Sequence, residues 1–108
     1  PRPQAEEADT VGQIRNLAEQ GDADAQFRLG TLYARGETVT KNDREALKWF
    51  MRSARQSNSQ AQYQVGLMYA AGRGVAQNDA EAVRWFRRAA AQGYLPAQQA
   101  LQRRGLTW

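Results

Sequence analysis

The sequence predicts an all-α fold of stacked antiparallel helix pairs, and three observations lead there. The chain repeats itself at a spacing of 36 residues, apolar residues recur within each copy at three- and four-residue steps, and glycine and asparagine stand where two helices per copy would stop and start.

At that spacing Ala25-Gln26 aligns with Ala61-Gln62, Gly30 with Gly66, Tyr33-Ala34 with Tyr69-Ala70, and Gly36 with Gly72. Val39 then meets Val75, Asn42-Asp43 meets Asn78-Asp79, Glu45-Ala46 meets Glu81-Ala82, and Trp49-Phe50 meets Trp85-Phe86. A fixed period of this size marks supersecondary units that bury their apolar faces only by stacking on neighbours. The expected organisation is one domain over 1–108: a degenerate N-terminal helix (1–21), repeat 1 (22–57), repeat 2 (58–93), and a C-terminal capping helix with its tail (94–108). In the last segment Ala97 and Leu101 keep the register but Gln102 stands where Gly30 and Gly66 would recur. Gln98, Gln99, Gln102, Arg103 and Arg104 are expected to form a polar outer face.

The first helix of each unit follows from Ala25, Leu29, Leu32 and Tyr33, and from Ala61, Val65, Met68 and Tyr69. Gly36 and Gly72 are placed to end it in the left-handed region. The second helix starts at Asn42 or Asn78, with Glu45 or Glu81 positioned to complete a capping box. On that helix Ala46, Trp49, Phe50, Ser53 and Ala54, like Ala82, Trp85, Phe86, Ala89 and Ala90, fall on one packing arc. Arg44, Lys48, Arg52, Arg55, Arg84 and Arg88 fall on the opposite arc as a solvated basic ridge. Gly30 and Gly66 sit mid-helix, where glycine costs about 1 kcal/mol. Close approach of the Trp-Phe pair of the second helix would compensate.

Composition narrows the chemistry. With no cysteine and no histidine, thiolate nucleophiles, disulfides and the commonest general base and metal ligand are missing, so no catalytic residue, metal or cofactor is assigned. The repeated acids Asp43/Glu45 and Asp79/Glu81 read as helix starts favoured by the macrodipole. Asp22-Ala-Asp24 opens like a calcium loop, but Phe27 and Tyr33 hold the positions of the loop glycine and the bidentate glutamate. Gly72-Arg73-Gly74 lacks the third glycine and the strand of a dinucleotide fingerprint. No apolar run approaches the ~20 residues of a membrane span, so no membrane insertion is expected. The chain opens at Pro1, as a processed protein or an excised piece would. Its formal charge of +4 divides into −4 over residues 1–24 and +8 over the rest. That imbalance keeps polyanion binding through the basic ridge as an alternative, although the Trp-Phe pairs lie on the packing arc rather than as exposed stacking platforms, which argues against nucleic acid.

The signature Gly30, Tyr33, Gly36, Ala46, Trp49 and Phe50, repeated as Gly66, Tyr69, Gly72, Ala82, Trp85 and Phe86, resembles the Sel1-like repeat, a relative of the tetratricopeptide repeat. Thr38 departs from the glycine that Gly74 supplies, so a less regular first loop is expected, and Ser57 replaces the closing glycine found at Gly93. The resemblance implies a right-handed α-α superhelix whose concave face, lined by first helices, receives a protein or peptide. It also implies a bacterial periplasmic or secreted setting ahead of a cytoplasmic one, and a monomer. By the same analogy the partner-binding residues are Asp24, Phe27, Arg28, Thr31 and Arg35, then Gln60, Tyr63, Gln64, Leu67 and Ala71. The expected function is a non-catalytic interaction module or adaptor, with a structural segment of a longer solenoid as the alternative.

Overall fold

The computed structural model describes residues 3–108. Pro1 and Arg2, and the side chains of residues 3–9, lie outside the described residues. The described chain is six helices without a strand: α1 (Pro3–Glu19), α2 (Ala23–Arg35), α3 (Asp43–Arg55), α4 (Ser59–Ala71), α5 (Asp79–Ala91) and α6 (Leu95–Arg103). Each packs on its chain neighbours in a right-handed α-α stack. The molecule measures 52 × 25 × 21 Å with a radius of gyration of 14.7 Å. A compact domain of this length would have about 13 Å, so the shape is that of a short rod.

Capping follows the repeat. Asn42 and Asn78 accept from the Glu45 and Glu81 backbone N–H, each at 3.1 Å. The reciprocal half of the expected capping box is absent among the described hydrogen bonds; Glu45 and Glu81 turn instead to Lys48 and Arg84 one turn on. Asp22 and Asn58 cap α2 and α4 in the same way, accepting from Ala25 and Ala61 N–H at 2.9 Å. Gly36 and Gly72 end α2 and α4 at φ 68° and 70°, and their N–H groups return to Leu32 and Met68 carbonyls.

The first inter-helix loop is not less regular than the second. Thr38 takes up φ 59° where Gly74 has 71°, and both loops close with the same bond, Asn42 N–H to Tyr33 O at 3.0 Å and Asn78 N–H to Tyr69 O at 2.9 Å. Ser57 likewise adopts φ 69° at the place of Gly93. Side chains were substituted at these positions while the left-handed backbone was kept, which stores strain of the order of 1 kcal/mol or more at each.

The two aromatic residues of each second helix divide the packing. Phe50 lies against Gly30 and Phe86 against Gly66 so closely that a Cβ on either glycine would stand 2.7 or 2.5 Å from a ring carbon. Trp49 and Trp85, one position earlier and ~100° round the helix, reach back to the preceding unit. Trp49 clusters with Ala18, Ala25 and Leu29, and Trp85 with Ala54, Ala61 and Val65. The glycine contact therefore belongs to phenylalanine alone, not to the Trp-Phe pair as a whole. All four rings are buried.

A ladder of glutamines runs beside the tryptophans. Gln26, Gln62 and Gln98 donate to the Ala18, Ala54 and Ala90 carbonyls at 3.0, 3.1 and 3.1 Å, in the last turns of α1, α3 and α5. Gln56 and Gln92 donate to the Gln26 and Gln62 side-chain oxygens, both at 3.0 Å. Gln98 is thus a half-buried rung and not part of a polar outer face.

Two outcomes are expected in urea unfolding. Gly66→Ala should destabilise by about 1–3 kcal/mol through overpacking on Phe86, despite alanine's ~1 kcal/mol helix advantage. Thr38→Gly should raise stability by about 0.5–1 kcal/mol by relieving the left-handed β-branched residue.

Candidate functional site

The side of the rod formed by the first helices carries two cavities, one on each flank of α2. The first, about 300 Å³, is lined by Phe27, Thr31, Ala34 and Arg35 of α2, Phe50 of α3, Gln64 of α4 and Arg73 of the following loop. The second, about 290 Å³, is lined by Ile14 of α1, by Phe27, Arg28, Thr31, Leu32 and Arg35, and by Glu37. Phe27, Thr31 and Arg35 border both, so the two form one groove across α2.

Phe27 rests on Phe50 with ring centroids 5.7 Å apart, and the Thr31 hydroxyl donates to the Phe27 carbonyl at 3.0 Å. Arg35 and Glu37 form an open ion pair at 3.4 Å. Arg73 reaches the Asp43 carboxylate at 3.2 Å, and Lys41 reaches the same oxygen at 2.9 Å. The Lys41 ammonium and the Arg73 guanidinium hold the Asp43 carboxyl below the usual carboxylate range.

Of the ten residues the sequence pointed to, Phe27, Arg28, Thr31, Arg35 and Gln64 line the groove. Asp24 lies beside Asn58 (3.4 Å) at the start of α2, away from both cavities. Gln60, Leu67 and Ala71 are exposed on α4 without lining either cavity. Tyr63 is half-buried between Phe86 and Tyr94, at centroid distances of 5.7 and 5.5 Å, and burial beside Tyr63 pushes the Tyr94 phenol up. Ile14, Leu32, Ala34, Glu37, Phe50 and Arg73 complete the groove unpredicted. Glu37 and Arg73 share a register, each directly following a left-handed glycine, and that shared place after Gly36 and Gly72 was the available signal.

In the second unit Arg104, which holds the register of the buried Met68 that clusters with Phe50, meets Phe86. The Arg104 guanidinium lies 5.1 Å from the Phe86 ring centroid, donates to the Ala100 carbonyl, and forks onto both Asp79 oxygens at 2.9 and 3.2 Å. Arg104 lowers the Asp79 pKa, and its own is raised in return.

The opposite side carries the basic ridge, whose six residues are exposed as expected. Arg52 lies 4.7 Å above the Trp49 ring, Arg88 4.4 Å above Trp85, and Lys48 5.5 Å from Trp49, so these cations cover the outer faces of the indoles. A larger notch of about 560 Å³, bounded by Arg55, Ser57, Arg88 and the Gln62–Gln92 rung, opens there, but the two glutamines are already committed to the ladder. Among the described residues no group of three or more potential ligands is placed to hold a metal ion, and no helix is long and apolar enough to cross a membrane.

The Sel1 repeat family model matches residues 23–58 and 59–94, the two full units. This chain belongs to the Sel1 repeat family. Sel1 repeats generally serve as protein–protein interaction scaffolds and are typically non-enzymatic. The fold is similar to a crystal structure of c5321, a protective antigen present in uropathogenic Escherichia coli strains, at 43% identity and a TM-score of 0.81. That match covers 84% of this chain and 20% of the other. A Sel1 repeat protein from Oxalobacter formigenes matches at 38% identity and TM-score 0.74, covering 76% of this chain and 33% of the other. Helicobacter pylori cysteine rich protein B, at 23% identity and TM-score 0.84, shares the fold. A putative sel1-like repeat-containing protein of Acanthamoeba polyphaga mimivirus is 42% identical over 41 residues, 38% of this chain and 7% of its own length. The chain thus spans 20% and 33% of the first two solved relatives and 7% of the mimivirus protein, but 71% of the Helicobacter pylori protein.

The Sel1 units also predict an acid response. Asp43 and Asp79 have folded pKa values below their unfolded ones, so their contribution is full above about pH 4 and is lost as pH falls through the folded values. Urea midpoints measured from pH 5 downward should fall less steeply for Asp43→Asn and Asp79→Asn than for the parent chain.

Proposed function

We propose that this Sel1 segment is a protein–protein interaction module that holds an extended peptide or protein segment in the groove across α2. The observation that carries the reading is the pair of cavities flanking α2, which share Phe27, Thr31 and Arg35 and present aromatic, hydroxyl and guanidinium groups along one line. Apolar anchors with a few fixed polar groups are what a bound segment requires. On the other side of the rod the tryptophans are buried and their cations lie stacked upon them, which leaves less free recognition surface.

A second reading, a structural segment of a longer solenoid, is supported by the 20% and 33% of two of the solved relatives that the chain spans, against 71% of the third. The two readings are compatible, because a groove in a solenoid continues through its neighbours.

The test is a random peptide library selected on the intact chain, followed by calorimetric titration of the enriched peptides. Arg35→Glu combined with Thr31→Asp, both on residues that border the two cavities, should weaken binding about tenfold or more, whereas Arg52→Glu on the opposite side should leave it unchanged. Equal affinity of the groove variant and the parent chain would exclude the groove.

A further inference from the structure

Phe50 and Phe86 hold the same register, yet their surroundings differ in charge. Asp79, at the start of α5, is met by Arg104, whose guanidinium covers Phe86. Asp43, its counterpart at the start of α3, is already met by Lys41 and Arg73, and the second unit has Gln77 in place of that lysine. A cation entering over Phe50 would therefore find no free carboxylate and two guanidinium groups.

Those guanidiniums have capacity to spare. Arg35 and Arg73 are 70% and 47% exposed, and each spends one side-chain contact, on Glu37 and Asp43 respectively, out of five N–H donors. Gln64, half-buried on the same cavity, makes no side-chain hydrogen bond within the described residues, so its amide presents a donor and an acceptor suited to a peptide backbone. Phe27, Phe50 and Ala34 supply the apolar floor. No carboxylate lines this cavity, and its volume of about 300 Å³ lies at the lower end of the range in which ligand groups are held.

Resting on the groove reading above, we propose that the cavity over Phe50 takes a carboxylate of an extended partner segment, seated between Arg35 and Arg73, beside an apolar side chain packed on Phe27 and Phe50. The partner is then an acidic, apolar-containing peptide, recognised by charge-assisted hydrogen bonds and by the Gln64 amide. The carboxylate is that of an internal acidic side chain, because a segment that runs through both cavities across α2 passes this point rather than ending at it.

The experiment uses short fluorescent peptides on the intact chain, with the amide resonances of Thr31, Arg35 and Gln64 as a second readout. One peptide alternates leucine and glutamate and is amidated. Its leucine–glutamine and leucine–lysine counterparts are also amidated, and a further leucine–glutamine peptide ends in a free carboxylate. The expected result is that the glutamate peptide binds about tenfold more tightly than the amidated glutamine peptide, the factor two exposed charge pairs supply. Binding should move all three resonances and weaken with salt. Tighter binding of the free-carboxylate glutamine peptide than of the glutamate peptide overturns the internal assignment. Arg35→Glu should abolish the preference while far-ultraviolet circular dichroism stays unchanged, and Arg73→Lys, which keeps the charge, should retain most of it.

Equal or tighter binding of the glutamine or lysine amides, with the three resonances still moving, overturns the carboxylate preference and leaves the groove standing. Absence of any shift at those residues, or binding lost only on Arg52→Glu and Arg88→Glu, overturns both.

Discussion

The contact between a phenylalanine ring and a glycine backbone, made once in each unit, sets the distance and register of the helix pair. At Gly30 and Gly66 the absent Cβ is the space the ring occupies, so α2 and α3, and α4 and α5, approach more closely than an alanine would permit. The mid-helix glycine costs about 1 kcal/mol, against about 1.5–3 kcal/mol from burying the ring. With the register fixed, the preceding residue is also fixed in direction, and tryptophan there can point only toward the unit before.

That second direction combines apolar and polar ties. Trp85 packs on Ala54, Ala61 and Val65 while Gln62, deeply buried, donates to Ala54 and accepts from Gln92. A buried amide is tolerable only when its partners are present, and those partners belong to two different helices of two units. A slipped stack would leave the amides unpaired, so the ladder penalises wrong registers where alanine-rich surfaces alone would be permissive. One donor escapes this satisfaction: the Trp49 indole N–H is buried with no acceptor among the described residues.

The period, the helix pairs, the caps at Asn42 and Asn78 and the burial of the Trp-Phe pairs were legible in the sequence because each is a local pattern written twice. What escaped depends on contacts between copies. Gln26, Gln62 and Gln98 look like surface residues on an alanine-rich helix until the preceding carbonyl is placed beside them. Thr38 and Ser57 suggested a changed loop because the residue type changed, yet the surrounding bonds hold the backbone in the glycine conformation. Arg52 and Arg88 are exposed as their arc implies, but an arc drawn at 100° per residue does not show that side chains of this length also fold back over an indole. In the groove, Arg73 was treated as turn punctuation, and Phe50 as core only, whereas its ring also floors a cavity.

Within the chain the framework and groove positions behave differently. Gly30, Tyr33, Gly36, Ala46, Trp49 and Phe50 recur unchanged 36 residues later, whereas Asp24, Phe27, Arg28, Thr31 and Arg35 become Gln60, Tyr63, Gln64, Leu67 and Ala71. The framework residues are dictated by the ring–glycine contact and the stack. These first-helix positions, five of which line the groove, are less tightly constrained: all stand exposed or half-buried on helices whose inner faces already satisfy the core. Even the loop residue after the left-handed glycine changes sign, from Glu37 to Arg73. A rigid rod with a variable line of side chains can present a different charge and shape along its length without altering its packing.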